Sequence, residues 1–163
     1  MSIPGVSLST LQKNYPKTGA TDVVKDALGA SHWLLKDPDL NTCAIRLSRA
    51  FNYGGAELKR MTGVHYEMGT DGKRYMIRAD DFVKYCRKHF GKPDVSKEAT
   101  NAADLQSAIG GKPGVLFFRL TKETSSGKTV KRWLYGHADI WDGAVVWYND
   151  VLYKTWEITL WRV

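Results

Sequence analysis

From Gly114 onward the chain changes character, and that change limits its possible folds more than any other feature. The segments "GVLFFRLTK", "TVKRWLYGHADIW", "AVVWYNDV" and "KTWEITLWRV" are rich in Val, Ile, Trp and Tyr and are separated by "ETSSG" and "DG". β-branched and aromatic runs bounded by turn residues predict an antiparallel meander. The preceding residues read differently. Helical patterns cover about 7–14 and 21–29, the second ended by Gly29, and Pro38 holds Asp37 extended. From Asn41, the positions Ala44, Leu47, Ser48 and Phe51 follow i, i+3, i+4, i+7, which makes one helix face, and "NYGG" ends it. Residues 64–78 predict a hairpin around Asp71-Gly72. The stretch "ADDFVKYCRKHFG" has acids in its first turn, bases late and a closing glycine, as a helix dipole and C-cap require. A short helix near 101–109 follows "PDVSKEAT". Helices first and strands last predict an α+β domain rather than a βαβ alternation. With 163 residues and no linker, repeat or low-complexity tract, the expectation is one domain over 1–163.

Composition narrows the class. Hydrophobic residues make up 43% and charged residues 25%, values of a chain that folds rather than stays disordered. The longest apolar runs fall far short of the ~20 residues of a membrane helix. The start "MSIPGVSLSTLQKNYP" has neither the basic beginning nor the apolar core of a Sec-type signal, so Sec-type export is not expected, and action outside the cytosol would need another route. A net charge of +7 suggests an anionic partner. The basic residues are scattered, with no block that reads as a nucleic-acid arm, so no specific nucleic acid is expected.

Two cysteines are too few for a disulfide scaffold, and both are read as free thiols. Cys43 follows Asn41 and Thr42, two good capping residues. This places its sulfur in a first helical turn, where unpaired N–H groups and the positive dipole end favour an anion. That is a setting for a nucleophile, although a small buried thiol fits the same position. Cys86 shares the stripe Phe82, Val83, Cys86, Phe90 and reads as core.

A cysteine nucleophile needs a base, usually a histidine oriented by a third polar group. His32, His65 and His89 each have a sufficient structural explanation. His137 follows a glycine in a strand, where another backbone or a substrate can come close. A turn at Asp142-Gly143 would pair Trp141 with Ala144 and His137 with Tyr148. By alternation Asp150 then shares the face of His137, and Asn149 does so only with a bulge. Asp150 is the expected third member. Asp139 is its rival, two residues from His137 on the same strand face.

The blocks "NTCAIRLSRAF", "KRYMIRADDFVKYCRKHFGKPD" and "YGHADIWDG" resemble those of the fourth family of type VI secretion amidase effectors. These are bacterial toxins whose fold is related to the NlpC/P60 and papain-like cysteine peptidases, with N-terminal helices packed on a C-terminal antiparallel sheet. The resemblance runs from about residue 39 to the C-terminus. Its most specific parts are the N-[TA]-C helix start and the G-H-x-x-x-W-[DN]-G block. It implies an amidase that cuts peptidoglycan stem peptides between D-glutamate and meso-diaminopimelate, with Cys43 as nucleophile and His137 as base. The family's aspartate after the "WDG" turn matches the spacing of Tyr148 and Asn149 here, with Asp150 slightly beyond. An immunity protein as partner, no cofactor or metal, and action in the periplasm of a target bacterium after secretion are further implications.

The chemistry is cysteine acyl transfer, with backbone N–H groups at the helix start of Asn41, Thr42 and Cys43 facing the oxyanion. No HExxH, paired CxxC, GxGxxG or P-loop pattern points elsewhere. Two other readings keep some of these features. One is a cysteine peptidase or acyltransferase acting on proteins, and the other is a non-catalytic basic module that binds wall or nucleic acid.

Overall fold

The computed structural model describes residues 2–99 and 101–163, and its architecture is α+β. The chain forms two compact units, one over Pro4–Tyr85 and one over Cys86–Val163 joined by the N-terminal residues through Ile3.

The first unit is built on three helices and a hairpin. Helix α1 spans Leu8–Asn14 and starts with a capping box in which Ser7 Oγ accepts from Thr10 N while Ser7 N donates to Thr10 Oγ1. Helix α2, Ala20–Leu28, buries Val23, Val24, Ala27 and Leu28 against Leu34, Ile45 and Tyr75. A short 3-10 helix, Trp33–Lys36, precedes α3, Cys43–Gly54. Most of α3 is buried, including the polar Arg46, Ser48 and Asn52. Each of these has a partner. Ser48 Oγ donates to Ala44 O and accepts from Met76 N at 2.8 Å, and Asn52 donates to Arg74 O and accepts from Leu58 N. These bonds tie α3 to the hairpin of β1, Tyr66–Met68, and β2, Arg74–Met76. Gly55 ends α3 at φ 109°, and a Cβ there would stand 2.2 Å from Gly5 O, so two backbone segments touch where only glycine fits.

Helix α4 follows as Ala79–Phe90, with Asp80 and Asp81 in its first turn and Arg87, Lys88 and His89 in its last, as its charge pattern predicts. Strand β3, Val95–Glu98, comes next, and then helix α5, Ala102–Ile109, whose N-cap Asn101 accepts from Asp104 N. Strands β4, Gly114–Glu123, β5, Thr129–Trp141, and β6, Thr155–Arg162, complete an antiparallel sheet of order β3-β6-β4-β5. Within this unit α5 packs on the sheet, with Leu105 and Ile109 against Leu116, Phe118, Ile158 and Leu160.

The sheet corrects the expected meander in two respects. "AVVWYNDV" forms no strand. It contributes one bridge, Trp141↔Val146, and one bond from Trp147 N to Ile140 O. The reason is Asp142, whose Oδ1 accepts from both Ala144 N and Val145 N and widens the expected tight turn. Among the described residues the outer edge of β5 therefore carries no further strand, and β6 pairs with the other side of β4. The second difference is β3, a strand within "PDVSKEAT" that the expected meander did not include. No helix among the described residues is long and apolar enough to cross a membrane.

Candidate active site

The residues singled out for chemistry fall in both units. In the first, Cys43 is the opening residue of α3 and is 5% exposed. The residue that caps it is Asn41, whose Oδ1 accepts from Cys43 N at 3.1 Å. Thr42 occupies the N-cap position without a side-chain cap bond. Its hydroxyl instead accepts from Arg46 Nε at 2.9 Å, and its carbonyl accepts from Arg46 N. Arg46 Nη1 also donates to Pro16 O at 2.7 Å. A buried guanidinium thus braces the turn that carries the thiol. Sequence reasoning overlooked this arginine, although a charge one turn after Thr42 inside an apolar stripe was the available signal.

In the second unit, the local geometry of β5 aims His137. Phe118 pairs with His137 and the next pairing joins Arg119 to Tyr135, so Gly136 is the extra residue of a bulge. A Cβ on Gly136 would lie 3.0 Å from Leu120 Cδ1, which explains the glycine before the histidine. The imidazole lies beside the Phe118 ring with centroids 5.3 Å apart, and its Nε2 is 3.0 Å from Asp139 Oδ2.

Asp139 is fully buried. Its carboxylate also accepts from three backbone N–H groups: Ile140 and Tyr148 on Oδ1 at 2.8 and 3.2 Å, and Asn149 on Oδ2 at 2.9 Å. These bonds satisfy the acceptor oxygens of a buried side chain. The segment after the "WDG" turn contributes backbone amides here rather than a side chain. Asp150 lies elsewhere in the register. Its Oδ1 accepts from Leu152 N at 2.9 Å, at the start of a short 3-10 helix, Leu152–Lys154. Within this unit the structure therefore joins His137 to Asp139, and Asp139 to the backbone of Tyr148 and Asn149.

Cys86 is fully buried, and desolvation pushes its thiol well above the ordinary range, as befits a core residue. The remaining histidines behave structurally. His32 Nδ1 accepts from Leu34 N, and Glu67 lies near both His32 and His65. Among the described residues, no group of three or more His, Cys, Asp or Glu side chains is placed to hold a metal ion.

Comparison with solved structures places this geometry in a known fold. An effector–immunity complex, Tae4–Tai4 from Salmonella Typhimurium, is similar with TM-score 0.75 at 21% identity, over 97% of this chain and 98% of that one. The effector Tae4 from Enterobacter cloacae gives TM-score 0.75 at 22% identity, over 100% and 99%. The Tae4–Tai4 complex from Enterobacter cloacae gives 0.74 at 20%, over 97% and 98%. No curated protein matches in sequence. The family model described as type VI secretion system (T6SS), amidase effector protein 4, matches residues 40–161, and the chain belongs to that family.

Proposed function

We propose that this chain, an antibacterial amidase effector acting on peptidoglycan, hydrolyses the D-glutamyl–meso-diaminopimelate amide of stem peptides, with Cys43 as nucleophile, His137 as base and Asp139 as the group that orients the base. The observation that carries this reading is the His137–Asp139 pair. A carboxylate fixed by three backbone donors lies against Nε2, and in this reading Nδ1 exchanges a proton with the thiol.

Nδ1 takes the Sγ proton, and sulfur attacks the amide carbonyl to form a tetrahedral adduct. Cys43 N–H, which donates to Asn41 Oδ1 in the resting protein, is then shared with the developing oxyanion. The imidazolium, stabilised by Asp139, gives its proton to the leaving amine and leaves a thioester. Water, deprotonated by the same imidazole, hydrolyses the thioester and restores the thiol. In this reading residues 1–163 act as one amidase domain.

The effector structures from Salmonella Typhimurium and Enterobacter cloacae that are complexes with Tai4 support a cognate immunity protein as this chain's partner. The T6SS family supports delivery by that apparatus into the periplasm of a target bacterium.

The test has two arms. Purified sacculi are digested with wild type, Cys43→Ala and His137→Ala, and the same three proteins are expressed in the periplasm of a Gram-negative host. Wild type alone should release muropeptides cut at the D-glutamyl link and lyse the host. Equal killing by all three would remove the enzymatic reading, and intact sacculi beside a cleaved protein would favour a protein substrate.

A further inference from the structure

The first half of β5 carries more exposed apolar surface than its place in the sheet requires. Val130, Trp133 and Leu134 are exposed, Trp133 at 69%, and Tyr153 on the neighbouring short helix is 77% exposed. Exposed large aromatics in a cluster mark a contact surface more often than chance. They flank a groove of about 320 Å³, lined among others by Val130, Lys131, Tyr153, Lys154 and Trp156.

The groove is organised. Trp156 Nε1 donates to Arg132 O at 2.8 Å, which fixes its indole, and Trp133 stands edge-on to that ring at 5.1 Å. Lys131 Nζ is held 4.6 Å from the Trp156 centroid and Lys154 Nζ lies 5.6 Å from that of Tyr153. Thr121, Thr129 and Thr155 add hydroxyls to the lining, and none of its residues is acidic. None of these side chains has a part in the chemistry assigned to Cys43, His137 and Asp139.

We propose that this groove is a second, non-catalytic binding site for the glycan strand of peptidoglycan. The inference rests on the wall-amidase reading and adds a saccharide-holding surface to it. The exposed rings of Trp133 and Tyr153 suit the C–H faces of pyranose rings, and two lysines match carboxylates that recur once per disaccharide, on the stem peptide in intact wall and on the lactyl group where the stem has been removed. A nucleic acid presents a phosphate at every nucleotide and would call for denser positive charge than two lysines. Anchoring on the polymer raises the local concentration of stem peptides for the catalytic residues and so lowers KM on intact wall without changing the chemical step.

The experiment uses the full chain in a Cys43→Ala background, so that the wall is not consumed. Affinity for glycan strands stripped of stem peptides is measured by intrinsic fluorescence, and affinity for whole sacculi by co-sedimentation. Adding Trp133→Ala and Tyr153→Ala should weaken both by about tenfold or more, the usual cost of removing aromatic anchors from an interface. Lys131→Gln with Lys154→Gln should weaken them less and remove the salt dependence. With Cys43 intact, the Trp133→Ala/Tyr153→Ala protein should cleave a short soluble stem peptide with unchanged kcat and KM while its KM on sacculi rises. Both side chains are more than two thirds exposed, so an unchanged thermal midpoint serves as the folding control.

Unchanged glycan affinity in the aromatic variant, no binding of stripped strands by the parent protein, or displacement of the strand by an equal concentration of single-stranded oligonucleotide would each overturn the inference. Full sacculus digestion by Cys43→Ala would instead overturn the catalytic reading and leave glycan binding to be judged on its own result.

Discussion

Cys43 and His137 are positioned by opposite means. The thiol stands at the first residue of α3, where an asparagine cap two residues earlier and an arginine one turn later fix the backbone from within a short stretch of chain. The imidazole depends on a bulge at Gly136, a neighbouring ring from β4 and a carboxylate gripped by amides nine and ten residues away. The first arrangement follows local helix rules, and it was legible. The second is set by tertiary register, which a two-residue alternation argument reaches only in part.

The largest effects should come from the two groups proposed to react. Cys43→Ala and His137→Ala should each lower amidase turnover by about 10⁴-fold or more, Cys43→Ala with little change in the urea midpoint. An active His137→Ala protein would remove the comparison's second half.

Asp139 and Asp150 separate next. Asp139→Ala leaves three backbone donors and an imidazole without their acceptor. It should cut activity by about 10²-fold or more and destabilise the protein by about 3 kcal/mol. Asp150→Ala removes one helix-start bond and should cost about 1 kcal/mol with activity within a factor of a few. The opposite ranking, measured by kinetics and urea unfolding on the same samples, would return Asp150 to the role its sequence position suggested.

Bracing of the thiol's helix should register as stability. Ser48→Ala strands the Met76 amide in the interior and should cost about 1–3 kcal/mol. Gly136→Ala crowds Leu120 and should cost about 1–2 kcal/mol while lowering activity, because it presses on the bulge beside the base.

The smallest effect concerns pH. Burial raises the Asp71 carboxyl, but hydrogen bonds from Tyr75, the Lys73 amide and Tyr53 outweigh it and hold the acid below its ordinary value. A lowered folded value means stabilisation that is present above the unfolded carboxyl's pKa of about 3.9 and is lost as pH falls through the folded value. Tyr75 is raised by burial and by Asp71, so its contribution is present below the unfolded phenol's pKa of about 10 and is lost at higher alkaline pH. Asp71→Asn should flatten the acid limb of a stability–pH curve, and an unchanged limb would show that other carboxylates dominate it.

Much of the fold could be read from residue patterns because the signals were local. The α4 charge gradient, the glycine stops of α2 and α3 and the 71–72 turn all lie within one element or its cap. What escaped was non-local. Asp142 takes two amides and so denies the next segment its place beside β5, and β6 crosses to the other side of β4. The same displacement moved the expected partner of His137 from a side chain on a neighbouring strand to one on its own strand. For the proposed site, the thiol and imidazole were candidates by type and setting, and Asp139 by its two-residue spacing from His137. The amides of residues 148 and 149 carry no chemical signature in the sequence, since any residue can supply an amide.

Cys86 gives the molecule a practical asymmetry. Its sulfur is sealed and protonated in the core, so an alkylating reagent reaches it only in molecules that have opened. Counting the chains labelled at Cys86 by mass therefore measures unfolding without any engineered probe.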